Sequence, residues 1–263
     1  MRRFDGTFMR VASLILLCLA SNILLGQIRV TTYHNDNSRT GQNTAETTLT
    51  PANVNSGQFG KLFTTTLDGG YIYAQPLYMQ NVPNIGGGTH SVLYVATEHD
   101  SLFAIDADSG AVLWQQTFIN PPAGITSVSS SDVSCGDLVP EIGITSTPVI
   151  DPGTGTIYLV AKTKENGSFF QRLHALDIAT HAEKFGGPVV ISATAQGRTF
   201  DPLKQHNRPG LLLVNGHVVI AWASHCDNGP YQGWIMSYNA GNLAQEAIFN
   251  TEPDATNGFF GGI

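Results

Sequence analysis

Residues 101–114 read SLFAIDADSGAVLW. Two apolar runs, 101–105 and 111–114, flank the polar pentad Asp106-Ala107-Asp108-Ser109-Gly110. Asp106 and Ser109 carry side-chain oxygens that can accept backbone N–H groups in a turn, and Gly110 supplies a backbone angle that other residues resist. The stretch therefore predicts two short strands joined at a tight corner. Whether that corner is a site of chemistry or a piece of architecture depends on what surrounds it.

Four strand-like runs surround the corner: 74–82, 91–98, 101–107 and 111–118. A second set follows at 144–151, 156–163, 171–178 and 182–191, and a third at 208–216, 217–224, 233–239 and 243–251. Ala104, Ala175 and Ser237 occupy equivalent places, 71 and 62 residues apart. Four-run units recurring in one order predict an all-β fold, a β-propeller of four-stranded blades, about three of them within 27–263. Each blade buries its faces against its neighbours. A β-sandwich is the competing architecture.

Composition agrees with many short strands and turns. Charged residues are 13% of the 263, with 28 Gly and 13 Pro. The formal charge of −7 and the lack of a Lys/Arg cluster argue against nucleic-acid binding. The N-terminus supplies Arg2, Arg3 and Arg10 ahead of the apolar stretch 11–26, with Ala20, Ser21 and Gly26 as small residues for cleavage. It reads as a secretory signal peptide over 1–26, short of the roughly 20 apolar residues a membrane span needs. An uncleaved anchor is the alternative. Removing it takes the charge from −7 to −9 and leaves an exported chain, periplasmic or extracellular, without a membrane span.

AIDADSGAVLW (104–114) resembles the tryptophan-docking repeat of pyrroloquinoline quinone (PQQ) propellers, the quinoprotein alcohol dehydrogenase-like family. Ala104, Asp106, Gly110 and Trp114 match, with Ser109 in a threonine place. ALDIATHAEKF (175–185) matches at Ala175, Asp177 and Thr180, with His181 for glycine and Phe185 for tryptophan. SYNAGNLAQEA (237–247) is badly eroded, and YHNDNSRTGQN with LTPANVNSGQFGKLF (33–63) is similar to the family's lead-in. The resemblance implies that Trp114 and Phe185 dock one blade against the next, the Trp114 N–H bonding a neighbouring carbonyl. It also implies PQQ and calcium as cofactors of any enzymatic activity. GKLFTTTLD (60–68) reads as an outer strand without inner partners, and 257–263 reads as the approach to another blade. The expectation is an N-terminal portion of a longer ring.

With the first run of each blade innermost, blade-to-blade connections share a face with the loops joining runs two and three. Residues 119–143 and 225–232 both fall there, joined by the connection 192–207. This brings Cys135 and Cys226 together, and a disulfide is the expected state in an oxidising compartment. Two free thiols or a metal pair are the alternatives. The same face collects Asp132, Asp137, Glu141, His225, Asp227 and Asn228, with His206 and Arg208 near the following inner strand. An oxygen-rich set suits Ca²⁺, and a carboxylate beside a quinone could act as a general base; Asp and Asn are also ordinary turn residues.

Two functions compete. The preferred one is an exported binding or scaffold module that meets a protein, a glycan or a small molecule on its loop face. The alternative is a PQQ- and Ca-dependent dehydrogenase of alcohols or sugars. The Cys-Cys pair that the resemblance would lead one to expect in many such enzymes is absent from this sequence.

Overall fold

The computed structural model describes residues 28–44, 46–229 and 232–253. The expected signal segment and the 257–263 run lie outside the described residues. Strand β1 (Arg29–Val30) pairs with β2 (Leu77–Ile85), followed outward by β3 (Gly88–Thr97), β4 (Ser101–Asp106) and β5 (Val112–Thr117), all antiparallel. This is the first blade.

A connection holding β6 (Ile125–Ser129) and β7 (Glu141–Ile142) leads to the second blade: β8 (Val149–Asp151), β9 (Thr156–Glu165), β10 (Ser168–Asp177) and β11 (Val189–Val190). β8 pairs with the first part of β9, and β6 pairs with its last part. A hairpin of β12 (Thr194–Ala195) and β13 (Arg198–Thr199) precedes the third blade. That blade comprises β14 (Gln205–His206) and β15 (Leu212–Val214), both on β16 (His217–Ser224), then β17 (Trp234–Asn239) and β18 (Gln245–Asn250). The described residues form a partial β-propeller of three blades.

Burial follows from stacking. Every residue of β4 is buried, because the first blade is covered on both faces. Tyr94, Leu102, Ala104 and Trp114 pack against Ile157, Leu159 and Leu176 of the second blade. The opposite side of that second blade presents Tyr158, Val160 and Leu173 to Trp222, Trp234 and Met236 of the third. β16 alternates buried with half-buried positions, and β18 is exposed over most of its length. Among the described residues, the third blade has a packed neighbour on one face only.

The corner is built three times from one hydrogen-bond scheme. Asp106 N–H donates to the Ala111 carbonyl and Gly110 N–H to the Asp106 carbonyl, both at 2.8 Å. Asp177 with Ala182 and His181, and Asn239 with Ala244 and Leu243, repeat this at 2.8 to 2.9 Å. Gly110, His181 and Leu243 share a left-handed φ of 76°, 51° and 59°. The third copy, eroded in sequence, keeps the backbone turn intact. In the first, Asp106 Oδ1 accepts from Ser109 N and Ser109 Oγ at 2.6 Å each, and Oδ2 meets His90 Nδ1 at 2.6 Å. The Ser109 bond, with His90 behind it, holds the Asp106 carboxyl down to about 2.

Three expectations need adjustment. Trp114 lies between the first two blades, but its Nε1 has no hydrogen-bond partner among the described residues. The inter-blade bond comes from a tyrosine instead. Tyr94 Oη donates to the Ile178 carbonyl at 3.0 Å, and Tyr158 Oη repeats this to the Ala240 carbonyl at 2.8 Å. The fourth run of the second blade, 182–191, is a strand only at β11, plus one bridge at Glu183. Phe185 and Gly186 adopt left-handed φ there, and Pro188 has no N–H to give a ladder. Phe185 still packs, half-buried, on the core between the second and third blades, which also holds Ala175. Residues 60–68 form no strand. They lie over the outer face of the first blade: Leu67 packs on Val95, Phe103 and Ile105, and Thr65 Oγ1 donates to the Gly110 carbonyl at 2.7 Å.

The N-terminal segment crosses the inner edges of all three blades. After β1, the Thr31 carbonyl accepts from Ile150 N at 2.8 Å, and Asn37 Nδ2 donates to the Leu213 carbonyl at 2.9 Å. Arg39 donates to Thr32 Oγ1 and the Tyr33 carbonyl at 2.7 Å each, and to the Leu211 carbonyl at 3.0 Å.

Candidate functional site

The loop face is held together by its own connections. Cys135, in the first blade-to-blade loop, is disulfide-bonded to Cys226, after β16, with Cα atoms 5.7 Å apart. Asn228 Nδ2 donates to the carbonyls of Val133 and Ser134 at 3.1 and 3.2 Å, a second tie between the same loops. Val128, Val133, Leu138 and Ile142 form a small core beneath.

Under these loops the strand ends bring five buried ionisable side chains together. Glu98 and Asp100, at the β3–β4 turn, are fully buried. Glu98 Oε2 accepts from Gly143 N at 2.8 Å and Thr145 Oγ1 at 3.0 Å. Gly143 fits there because it lacks a side chain: a Cβ would come within 2.4 Å of the Glu98 carbonyl and 2.7 Å of Asp100 N. Burial pushes the Glu98 carboxyl up to about 7. Burial, then the neighbouring Glu98, pushes Asp100 well above the usual range.

Lys162, near the end of β9, donates to the Leu203 carbonyl at 2.8 Å and the Gln205 carbonyl at 3.3 Å, and contacts His225 Nε2 at 2.8 Å. Burial draws its ammonium down to about 7. The His206 and His225 rings stack at 4.2 Å with 13° between their planes. Burial, then the Lys162 charge, lowers His206 to about 3 and His225 to about 2. Both rings are neutral at ordinary pH.

Several atoms of this group lack a hydrogen-bond partner among the described residues: Glu98 Oε1, Asp100 Oδ2, His206 Nε2 and His225 Nδ1. Each such buried atom costs on the order of 1–3 kcal/mol. This concentration of unpartnered atoms beside shifted acids and bases makes the cluster the candidate site.

Of this group His206 lines a cavity of 410 Å³, together with Tyr33, Tyr73, Asp137, Thr147 and Arg208 among others. Arg208 is exposed at this cavity and has no ion-pair or hydrogen-bond partner among the described residues. A neighbouring hollow of 230 Å³ reaches His225 and Asn228 from the other side.

Of the residues singled out in the sequence, Asp137 and His225 converge here, with Asp137 Oδ2 3.8 Å from His225 Nδ1 and 3.7 Å from His206 Nδ1. Glu141 instead bonds His99 Nδ1 at 2.9 Å and accepts from Ser127 Oγ. Asp132 pairs with Lys164 at 2.6 Å, and Asp227 is exposed in the turn after the disulfide. Asn228 ties the loops. Glu98, Asp100 and Lys162 lie at or just beyond the ends of strand-like runs, where the sequence does not separate a buried charge from a solvated one. Their signal was charge inside apolar strand runs, in VATEHD and VAKTK.

Among the described residues no side-chain set for a quinone with calcium comes together. Trp114, Trp222 and Trp234 are all buried between blades, so none offers a ring to the cavity. The convergent donors are two imidazoles and one carboxylate, whereas calcium takes oxygen.

No family model matches the sequence, and no curated protein matches it. Among solved structures, the chain is similar to quinohemoprotein alcohol dehydrogenase from Comamonas testosteroni, at TM-score 0.59 and 18% identity over 94% of this chain. It spans 29% of that protein's length. A quinohemoprotein alcohol dehydrogenase from Pseudomonas putida HK5 aligns at TM-score 0.45 and 17% identity, covering 69% of this chain and 21% of its own. A europium-containing methanol dehydrogenase aligns at 0.42 and 14%, covering 70% and 27%. What the chain shares with the first of these is the propeller fold.

Proposed function

We propose that this is an exported ligand-binding propeller whose loop-face cavity takes a small anionic molecule, one bearing a carboxylate or phosphate. The observation that carries this reading is the 410 Å³ cavity with Arg208, unpaired among the described residues, at its wall and buried His206, whose Nε2 has no hydrogen-bond partner among them, beneath. A guanidinium presents a planar fork of donors suited to such an anion. The hydroxyls of Tyr33 and Tyr73 around it suit a polar body. Export rests on the N-terminal segment, and no helix of the described residues is long and apolar enough to cross a membrane.

The test is a thermal-shift series on the full chain with succinate, glucose 6-phosphate, and PQQ with and without Ca²⁺. A saturable rise in melting temperature for at least one probe, lost in Arg208→Ala, is the expected result. Silence from every probe contradicts the reading. A quinone spectrum accompanied by dye-linked alcohol oxidation would replace it with a dehydrogenase.

A further inference from the structure

We propose that Asp137, His206 and His225 form a site for one divalent transition-metal ion, with Zn²⁺ the best match and its fourth position open to the cavity. This goes beyond the anion reading and stands whichever molecule fills the cavity. One carboxylate oxygen and two imidazole nitrogens lie within 4.8 Å of one another. Both Nδ1 atoms face Asp137 Oδ2, at 3.7 and 3.8 Å. Ligands on a tetrahedral zinc stand about 3.3 Å apart. Closing that difference takes a shift of about half an ångström, and the Asp137 side chain, 34% exposed on its loop, is free to make it.

The histidine geometry points the same way. His225 is 1% exposed and its Nδ1 has no partner among the described residues. Its Nε2 is held at 2.8 Å by Lys162 Nζ, which accepts the Nε2–H when Lys162 is the neutral amine donating to the Leu203 and Gln205 carbonyls. When Nε2 carries the proton, Nδ1 turns a lone pair toward Asp137. The rings stack at 4.2 Å with 13° between their planes, and this sets both Nδ1 atoms on the side of Asp137. An ion between the two Nδ1 atoms requires the rings to fan apart at that edge.

The donor set decides the ion. Two imidazoles with one carboxylate suit zinc and its neighbours in the transition series, and do not suit calcium. Cys135 and Cys226 stand next to Asp137, but as a disulfide they offer no thiolate. Their role is to tie the loop of Asp137 to the turn of His225. Three protein ligands then leave one position open, as in sites where a water or substrate completes zinc.

The experiment is a calorimetric titration of the full chain, stripped with chelator, against ZnCl₂, repeated with Co²⁺ to read its visible absorption. Uptake of a single equivalent is expected, weakened at least about 10-fold in Asp137→Asn and in His206→Gln. His217→Gln, an exposed histidine paired with Glu246, should bind as the wild type does. Asp137 lies on a loop, so Asp137→Asn with an unchanged metal-free melting temperature decides the matter even if His206→Gln fails to fold. No saturable uptake by wild type, or uptake indifferent to Asp137→Asn, overturns the proposal. Anion binding that depends on Arg208 would survive that failure, and metal uptake would survive the failure of anion binding.

Discussion

Burial drives Lys162, His206 and His225 toward their neutral forms, and it drives Glu98 and Asp100 the same way. The consequences for stability have opposite signs. Between pH 6.5 and about 3, the unfolded chain takes up two protons on the histidines that the folded chain refuses. Their contribution is full above 6.5 and is lost as the pH falls. Glu98 keeps, between 4.5 and about 7, a proton that the unfolded chain gives up, so its contribution is full below 4.5 and lost as the pH rises. Asp100 acts in the same direction. The two pairs offset each other from pH 6.5 to 4.5. Below about 4 the histidines still titrate, joined by Asp106, Glu165 and Asp177 with their lowered pKa values, and stability drops. In metal-free buffer, scanning calorimetry should show a nearly flat melting temperature across that window and a steep fall beneath it. In His206→Gln/His225→Gln the melting temperature should instead rise as pH is lowered from 6.5 to 4.5. Parallel profiles for the two proteins would contradict this account of the cluster.

At the scale of the element, the blade corner was legible and the chemistry was not. Asp106, Ser109 and Gly110 announce a turn because their backbone partners lie within five residues. Asn239 and Leu243 conceal the same turn, since an unexpected side chain can occupy a left-handed position when the hydrogen bonds around it hold. Tyr94 and Tyr158 conceal their role for another reason: their acceptors, Ile178 and Ala240, lie in the next blade, more than 80 residues on. Glu98 and Lys162 are hidden likewise, because their partners come from loops of other blades. Deleting one inter-blade bond should show its weight: Tyr94→Phe is expected to cost about 1–2 kcal/mol. Trp114→Ala at the same interface should cost about 3–5 kcal/mol. The rings of Tyr94 and Trp114 are 5.9 Å apart, so the double variant should be non-additive in urea denaturation. Strict additivity would mean that the two side chains do not share one interface.

Across the whole molecule, the three blades divide the work between their two ends. Corners on one side repeat a turn that locks each blade to the next. Loops on the other carry the disulfide, the stacked histidines and the cavity. The resemblance first visible in AIDADSGAVLW therefore describes the scaffold, and the proposed binding site rests on the side chains under the loops. That division is tested most directly by calorimetric titration of wild type and Arg208→Ala with whichever anionic probe raises the melting temperature. The account predicts saturable heat in the wild type and its loss in the variant, with both proteins melting alike in the absence of ligand. Equal heats in the two proteins would contradict it.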